Sequence, residues 1–442
     1  MAVYEMTTQV EIPEDFGDFQ AIELKLVESS REAGRGLLQR IFLDYEGRFI
    51  EKRPVQKKDQ REKVFETLLG KISINRWRVK DVFKKKCLYP VDEWMGLKAY
   101  QKVSSGLMET IVEQAVCRPY AQATKVASRI SGVRRSVMSN WKLVQGLALK
   151  GREARPKPPD WSKRSLPILL PEKPDPCPIL GVDPDATYVR PRRKTDTNHE
   201  LKMAVLYTHR RQRGKKKKRW ELGQKQIVLS SVRESAPALF TRVIEKAVTA
   251  YGLHNGSRVV VHGDGDPWIK RFGEDYCPQA LNRLDPYHVF EKIHLATGVE
   301  KIPKDWIEDF YTHPVSLIHK IRDLGQGMAE KEEREKIEGL AGYLENNIEG
   351  MQPSGVPKKI KKQYPRMYLR GSGPIESNIF QGICHRFKAP RMMWSEEGLN
   401  NLSFLREEYL NGSFGFKKVT VPKEHYRSTT YADELREVAK DL

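Results

Sequence analysis

The chain has 442 residues, enough for about three domains of ordinary size. Lys and Arg number 78 against 58 Asp and Glu, so the formal net charge is +20 and favours a polyanionic partner, nucleic acid before membrane. The hydrophobic share of 39% excludes a disordered basic tail protein. No apolar stretch approaches the roughly 20 residues of a membrane span, and the five scattered cysteines include no Cys-x-x-Cys pair, so we expect a cytoplasmic protein without a zinc finger.

The first part of the chain is predicted to be mostly helical. Residues 1–60 form a predicted helical arm, because leucines recur at helical intervals among charged residues. Residues 61–150 follow as a predicted N-terminal DNA-binding region. Near its start, apolar residues such as Ile72 and Ile74 alternate with polar ones, which predicts a short hairpin or a small sheet.

Residues 120–146 are a candidate helix-turn-helix. The pattern is a helix, a turn at Ser131 and Gly132, and a basic second helix. Arg suits guanine and Asn suits adenine in the major groove, so three residues of this segment are predicted to bind DNA: Arg134, Arg135 and Asn140. A helical hairpin whose charged face is merely solvated has the same pattern and stays as the alternative.

The amino-acid composition changes after residue 150. Residues 151–178 are rich in proline, which breaks helices and central strands, and so predict a linker. Residues 179–284 are then predicted to form three strands, which start at Ile179, Glu200 and Trp220, followed by a helix over Ala236–Tyr251 and a further apolar strand from Arg258. This is the order of an RNase H-like sheet, although other α+β folds share it.

A dense positive cluster lies between the second and third of these predicted strands. It contains four consecutive lysines: Lys215, Lys216, Lys217 and Lys218. Because phosphate contacts from Lys and Arg dominate the affinity of proteins for DNA, these lysines are predicted to bind DNA.

Acidic residues occur at three places where a backbone element begins or ends. Asp183 and Asp185 are two apart on a strand and can share a face. Asp264 follows an apolar strand, and Glu376 follows Gly373 and Pro374 at a predicted helix start. Each alone has an ordinary structural explanation, but together they match the carboxylate set that holds two Mg²⁺ ions for phosphodiester chemistry.

Three segments carry a family resemblance: GDGDPWIKR (263–271), DPYH (285–288) and the long GSGPIESNIFQGICHRFKAPRMMWSEEGLNNLSFLR (371–406). They resemble the second-Asp, Asp-x-x-His and Glu-helix motifs of DDE transposases. The chain is most similar to transposases of Lre-type bacterial insertion sequences, a group formerly called an uncharacterised protein family and related to the Mutator-like transposases. The segment GVDPDATYVR (181–190) is similar to that family's first-Asp strand.

The resemblance implies an α/β catalytic domain of RNase H-like fold with an all-α insertion, after the helical DNA-binding region. The core would comprise residues 179–284 and a final helix at 371–412, with the insertion at 285–370 and a tail at 413–442. The implied catalytic and metal-binding acids are Asp183, Asp264 and Glu376, with Asp185 as an alternative first acid. Asp285 and His288 would lie near the site, or else simply begin a helix as cap and first turn. Four later residues are implied in DNA binding: Arg386, Lys388, Arg391 and Trp394.

The expected function is metal-dependent cleavage of transposon ends followed by transfer of the 3′-hydroxyl into target DNA. The resemblance implies two Mg²⁺ ions, for which Mn²⁺ can substitute, and double-stranded DNA as partner. It further implies a homo-oligomer on DNA, nucleoid association within the cytoplasm, and no membrane. Two alternatives remain, a domesticated DNA-binding protein and a plain metal-dependent nuclease of the same fold.

Overall fold

The computed structural model describes residues 3–12, 17–97, 101–155, 179–193, 197–213, 219–254, 257–277, 280–351 and 374–413. The predicted linker from residue 156 onward, Lys215–Lys218 and the predicted tail after residue 413 lie outside the described residues. The chain divides into two compact units. Of the described residues, the first unit contains those up to Thr110 with Ser131–Val133, and the second contains Ile111–Ile130 and Arg134–Ser413.

The first unit is a long helix with a small antiparallel sheet. Its elements are α1 (Phe19–Lys52), β1 (Val55–Thr67), β2 (Gly70–Asp81), β3 (Cys87–Leu88) and α2 (Pro90–Trp94). The strand order is β1-β2-β3, and β1 pairs with β2 along nearly its full length. Ile72 and Ile74 face a core that includes Phe42 and Phe65, so the sheet predicted from their alternation is confirmed.

Three helices come next: α3 (Ser105–Cys117), α4 (Tyr120–Ser131) and α5 (Val137–Ala154). The last two correspond to the candidate helix-turn-helix, and α5 is capped by Ser136, whose hydroxyl accepts the Ser139 N–H. One face of α5 is occupied by contacts within the second unit. Arg152 donates to the Asn401 side chain at 2.8 Å, and Asn401 donates to Gln145 at 2.8 Å.

The second unit is built on a five-stranded mixed sheet. In chain order its strands and helix are β4 (Ile179–Val189), β5 (His199–Tyr207), β6 (His209–Arg213), β7 (Arg219–Gly223), β8 (Gln226–Leu229), α6 (Ala236–Tyr251), β9 (Arg258–Gly263) and β10 (Ala280–Leu284). The sheet order is β10-β9-β4-β5-β8, while β6 and β7 form a separate ribbon. Strands β9 and β10 run parallel to β4, whereas β5 is antiparallel to both β4 and β8.

The third predicted strand, which started at Trp220, is wrong as a single element. Gln224 has a φ of +51°, and this turn divides the segment into β7 and β8. Strand β10 was not predicted, because its sequence ALNRL is short and has little apolar character. The predicted helix over Ala236–Tyr251 is confirmed, and its apolar face packs on the continuous apolar strand β9.

The remaining described residues are helical. They form α7 (Pro267–Arg271), a π-helical turn (Phe272–Tyr276), α8 (Pro286–Thr297), α9 (Lys304–Thr312), α10 (Pro314–Gln326), α11 (Lys331–Asn346), α12 (Ile348–Met351), α13 (Pro374–Ile379), a second π-helical turn (Phe380–Cys384), α14 (His385–Phe387) and α15 (Glu396–Leu410). Helices α8 to α12 enclose a core of their own around Leu317 and Leu344. In the described part of the chain, every helix is too short or too polar to cross a membrane.

A buried carboxylate on α15 ties this last helix to the sheet. Glu407 accepts the backbone N–H of Leu229 in β8 at 2.8 Å and pairs with Arg242 of α6 at 2.5 Å. Its other oxygen lies 2.9 Å from the Arg155 guanidinium. Buried charges are stable only when such partners compensate for lost hydration.

We expect Glu407→Ala to lower the free energy of unfolding by about 3–5 kcal/mol, because it leaves the Arg242 charge buried with one partner fewer. Urea unfolding followed by circular dichroism measures this change. The exposed Glu397 on the same helix provides the control, and Glu397→Ala should change stability by at most about 0.5 kcal/mol. Equal midpoints for the two variants would contradict a stabilising role for this cluster.

Candidate active site

Three carboxylates lie at the carboxyl ends of the parallel strands of the mixed sheet: Asp185, Asp264 and Asp285. Val182 of β4 pairs with Val261 of β9, so Asp185 lies three residues beyond that pair and Asp264 also lies three residues beyond it. Strand β10 ends at Leu284, and Asp285 follows directly. Because β4, β9 and β10 are parallel, these residues meet at the carboxyl end of the sheet.

The loop carrying Asp264 is held by both its own backbone and α11. Gly265 has a φ of +87°, and a Cβ there would lie 2.7 Å from the Asn347 side chain, so only glycine fits. The Asp264 carboxylate accepts the Asp266 N–H at 3.0 Å, and its backbone carbonyl accepts the Tyr343 hydroxyl at 2.5 Å. The loop therefore presents the carboxylate in a defined position.

Asp285 begins helix α8. Its side chain accepts the Tyr287 N–H at 3.0 Å, with Pro286 in the first turn, so the predicted cap is confirmed. Its backbone N–H donates to the Gly263 carbonyl at 2.8 Å, which joins the ends of β9 and β10. Asp285 therefore caps α8, and it also lies close to His288, which is one turn further along the same helix.

His288 lies on α8 next to Glu376 of α13. The distance from His288 Nε2 to Glu376 Oε1 is 3.2 Å. One ligand atom from each of Asp285, His288 and Glu376 lies within 4.8 Å of the other two, which is compatible with a shared metal ion. Carboxylate and imidazole groups are suitable ligands for divalent cations.

The charges of this cluster influence one another. Burial raises the pKa of Asp185 to about 6, and the carboxylates of Asp264 and Glu376 add to the rise while His288 opposes it. The hydrogen bond to Glu376 raises the pKa of His288 to about 9, against the effect of burial and with help from Asp285 and Asp185. Asp285, His288 and Glu376 thus form a close cluster, and Asp185 and Asp264 interact with its members electrostatically.

Asp183 is in a different environment. Its side chain is 0% exposed and accepts the Tyr207 hydroxyl at 3.1 Å, with His262 Nδ1 at 2.8 Å. These contacts join the interior of β4 to β5 and β9. Asp183 is therefore engaged in the interior of the sheet, whereas Asp185 interacts with the acidic cluster.

Three residues predicted to bind DNA are buried instead. Asn140 is 2% exposed because it donates to Thr124 and accepts the Arg135 Nε–H, so it cannot read a base in this conformation. Arg386 is 1% exposed and donates to the Ala115 carbonyl at 2.8 Å. Trp394 is buried under the Arg386 guanidinium, and its indole N–H donates to Phe387.

The other predicted DNA-binding residues in the described chain reach the surface. Arg134, Lys388 and Arg391 are exposed, and Arg135 is half-buried. Lys388 donates to the Thr187 hydroxyl at 2.8 Å. The side chains of these four residues are accessible to a phosphate group from solvent.

Sequence reasoning missed four residues that support this edge of the sheet. Tyr343 and Asn347 hold the Asp264 loop, while Tyr207 and His262 hold Asp183. A signal was available only for His262, which lies two residues before Asp264 within an apolar strand.

We expect His288 to titrate at pH about 9 in metal-free protein, and Glu376→Gln to lower that pKa because its largest cause is removed. NMR titration of the imidazole measures the pKa directly. By linkage, the stabilisation from His288 is present below its ordinary pKa of about 6.5 and disappears as the pH rises through the folded-state value.

The matched control is Glu291→Gln, since Glu291 Oε2 is 3.9 Å from His288 Nδ1 and is not a principal cause of the shift. Equal pKa values in the wild type and in Glu376→Gln would contradict the contact between α8 and α13.

The sequence is similar to those of several bacterial proteins. A UPF0236 protein of Caldanaerobacter subterraneus subsp. tengcongensis is 23% identical over 422 residues, covering 91% of this chain and 81% of the relative. A second from that organism, whose name joins eleven locus designations, is 23% identical and covers 86% of this chain and 75% of the relative. A UPF0236 protein of Streptococcus gallolyticus, from the vanSb 3′ region, is also 23% identical, over 84% of this chain and 76% of the relative.

Among solved structures, a chain of the Drosophila P element transposase strand transfer complex is similar at 9% identity. The match covers 73% of this chain and 82% of that chain with a TM-score of 0.24, which is too low to support an argument about fold. The model of the Uncharacterised protein family (UPF0236) matches residues 14–424. The chain therefore belongs to the UPF0236 family.

Proposed function

We propose that this chain is a DDE-type DNA transposase. The observation that carries the proposal is that the parallel strands β4 and β9 lead Asp185 and Asp264 to the same end of the sheet, where both interact electrostatically with the Glu376 and His288 pair. Mutually close carboxylates in a folded protein are unfavourable unless a cation or a proton compensates for their repulsion. In a chain with net charge +20, the substrate best suited to such a cation site is a phosphodiester.

The sheet supports an RNase H-like core. In order along the chain, its first three strands (β4, β5 and β8) are antiparallel neighbours, and the next two (β9 and β10) continue from the first strand in parallel on its other side. A helix, α6, connects the two halves. This is the arrangement that the resemblance to DDE transposases implies, with the acids at the carboxyl ends of the parallel strands.

We assign the first acid to Asp185, whereas the sequence favoured Asp183. Asp185 shares its electrostatic environment with Asp264 and Glu376, while Asp183 is enclosed by Tyr207 and His262. In this assignment Asp183 is a positioning residue. It fixes β4 against β9, the two strands that lead to Asp185 and Asp264.

The residues fit a divalent cation. Ligand atoms of Asp285, His288 and Glu376 lie close enough to share one ion, and Asp185 and Asp264, which the resemblance implies as ligands, would approach it from β4 and the loop after β9. Carboxylate oxygens of this kind match Mg²⁺ or Mn²⁺. When bound, two such ions would activate the attacking oxygen and stabilise the leaving oxygen of the displaced strand. The chain itself orients the acids through the Asp285 cap, the Gly265 turn and Tyr343.

The proposed reaction has two steps on DNA. Water first attacks a phosphodiester at the transposon end, which breaks the P–O bond and leaves a 3′-hydroxyl. That hydroxyl then attacks a phosphodiester of target DNA, forms a new P–O bond and releases the target's own 3′-oxygen. No covalent bond to the protein is required.

The names of relatives favour transposition over plain nuclease activity. One relative's name joins eleven locus designations from one organism. A protein encoded at many loci of a genome is what a mobile element produces when it copies itself. An ordinary nuclease or a domesticated DNA-binding protein would not require such multiplicity.

We expect Asp185→Asn, Asp264→Asn and Glu376→Gln each to reduce cleavage by at least about a hundredfold, the order found when one electrostatic contribution to a transition state is removed. Duplex substrates containing the element's ends, incubated with Mg²⁺, provide the assay. DNA binding measured by gel shift should remain within about threefold, since the basic surface is unchanged.

Asp266→Asn is the matched control, because this exposed carboxyl lies two residues from Asp264. It should leave cleavage within about threefold of the wild type. Wild-type cleavage by Asp185→Asn together with lost cleavage by a folded Asp183→Asn protein would overturn the choice of first acid. Wild-type cleavage by Glu376→Gln would overturn the proposed function.

A further inference from the structure

The end of the β1–β2 hairpin near residue 81 concentrates positive charge. Here Lys52–Lys58 and Lys80–Lys86, which we call the basic end, contain eight Lys or Arg and a single acid, Asp81. The Val82 N–H donates to the Pro54 carbonyl at 3.1 Å, so the two segments lie together. Most of their basic side chains are exposed.

The turn within the basic end is ordered by its one acid. The Asp81 carboxylate accepts the N–H groups of Phe83 at 2.9 Å and Lys84 at 2.8 Å, and its own N–H donates to the Lys86 carbonyl at 2.9 Å. Lys85 takes a φ of +52° to close the turn. The Asp81 carboxylate thus orders the turn, and with eight Lys or Arg against this one acid the basic end keeps a formal charge of 8 − 1 = +7.

This turn holds an aromatic ring in water. Phe83 is 80% exposed and is followed by three exposed lysines, Lys84 to Lys86. A phenyl ring left in water loses the stabilisation of about 1.5–3 kcal/mol that its burial would provide. The exposed ring and the adjacent lysines together offer a ligand both an apolar face and positive charge.

A groove of about 860 Å³ adjoins the turn. Its lining includes Lys84 and Lys86 and is basic on balance, with six Lys or Arg against four acids: Glu62, Asp81, Asp92 and Glu93. Arg76 is buried, stacks 3.6 Å from the centre of the Tyr89 ring and is paired with Asp92. Its buried Nη1 atom has no hydrogen-bond partner among the described residues.

We propose that the basic end binds a strand of nucleic acid, with its lysines on phosphates and the Phe83 ring stacked on an unpaired or unstacked base. Phosphates complement the charge, and base faces complement the exposed ring, so one ligand accounts for both features. An anionic membrane would satisfy the lysines, but a single phenyl ring gives little insertion. The inference rests on the proposed function only for the choice of DNA as the nucleic acid.

Fluorescence anisotropy tests this with full-length protein and fluorescein-labelled single-stranded and duplex DNA, in buffer without divalent metal. Replacing Lys84, Lys85 and Lys86 with Ala should lower the slope of log affinity against log salt by up to about 0.7 per phosphate contact on single strands. Phe83→Ala should weaken single-strand binding about fivefold or more with the slope unchanged, and Phe83→Trp should retain it.

Matched controls come from the same chain. Phe19 is 75% exposed and lies in the first unit, so Phe19→Ala removes the same group elsewhere. The exposed Lys301, Lys304 and Lys331, replaced together with Ala, remove the same charge from the helical region. Both controls should bind like the wild type. Circular dichroism should show wild-type folding for every variant, because the turn carries no core residue.

Equal losses of DNA affinity in the test and control lysine variants would mean that only the net charge of the protein matters, and would overturn the proposed site. Wild-type affinity in Phe83→Ala on both DNAs would overturn the stacking contact. Sedimentation with phosphatidylserine vesicles that depends on Phe83, without a DNA effect, would assign the surface to membranes instead. Because no cleavage is measured, these results are independent of the Asp185, Asp264 and Glu376 variants.

Discussion

Repulsion among carboxylates at one edge of the mixed sheet is the constraint on which the second unit depends. Parallel pairing of β4, β9 and β10 brings Asp185, Asp264 and Asp285 to the same edge. Each ionised carboxylate raises the free energy needed to ionise its neighbours, and partial burial of Asp185 raises that free energy further. The fold must therefore hold these groups against their own electrostatic preference.

Neighbouring elements supply that restraint with neutral and cationic groups. Helix α8 contributes His288, which pairs with Glu376, and α11 contributes Tyr343, whose hydroxyl binds the backbone beside Asp264. The carboxylates of the cluster raise the pKa of Tyr343 in addition to the effect of burial, so it stays a donor. The helices that follow β10 are thus part of the site's construction, and not merely a separate lobe.

The sequence was most informative where one backbone element decides a residue's position. The apolar run of β9, the amphipathic face of α6 and the Asp285 cap could be predicted because each depends on local periodicity or local hydrogen bonds. The choice between Asp183 and Asp185 could not, because both share a strand face. Only the pairing of β4 with β9, together with Tyr207 and His262, distinguishes an interior acid from one at the edge.

Burial is the property that the sequence did not indicate for several residues predicted to bind DNA. Arg386, Trp394 and Asn140 have the chemistry of DNA contacts, and nothing in their local sequence separates that use from burial. Their partners lie far along the chain or on another helix: Ala115 for Arg386 and Thr124 for Asn140. Periodicity in the sequence indicates which face of a helix is buried, but it does not indicate which distant residues pack against that face.

The anchoring of α15 by Glu407 has a consequence for protein synthesis. Asp185 and Glu376 are separated by 191 residues, and the helix that ties the last segment to β8 follows still later. At translation rates of about 5–20 residues per second, the early acids wait about 10–40 s for their partner. A nascent chain therefore carries β4 and its acids well before the acidic cluster is complete, so the cluster assembles only after the residues of α15 have been synthesised.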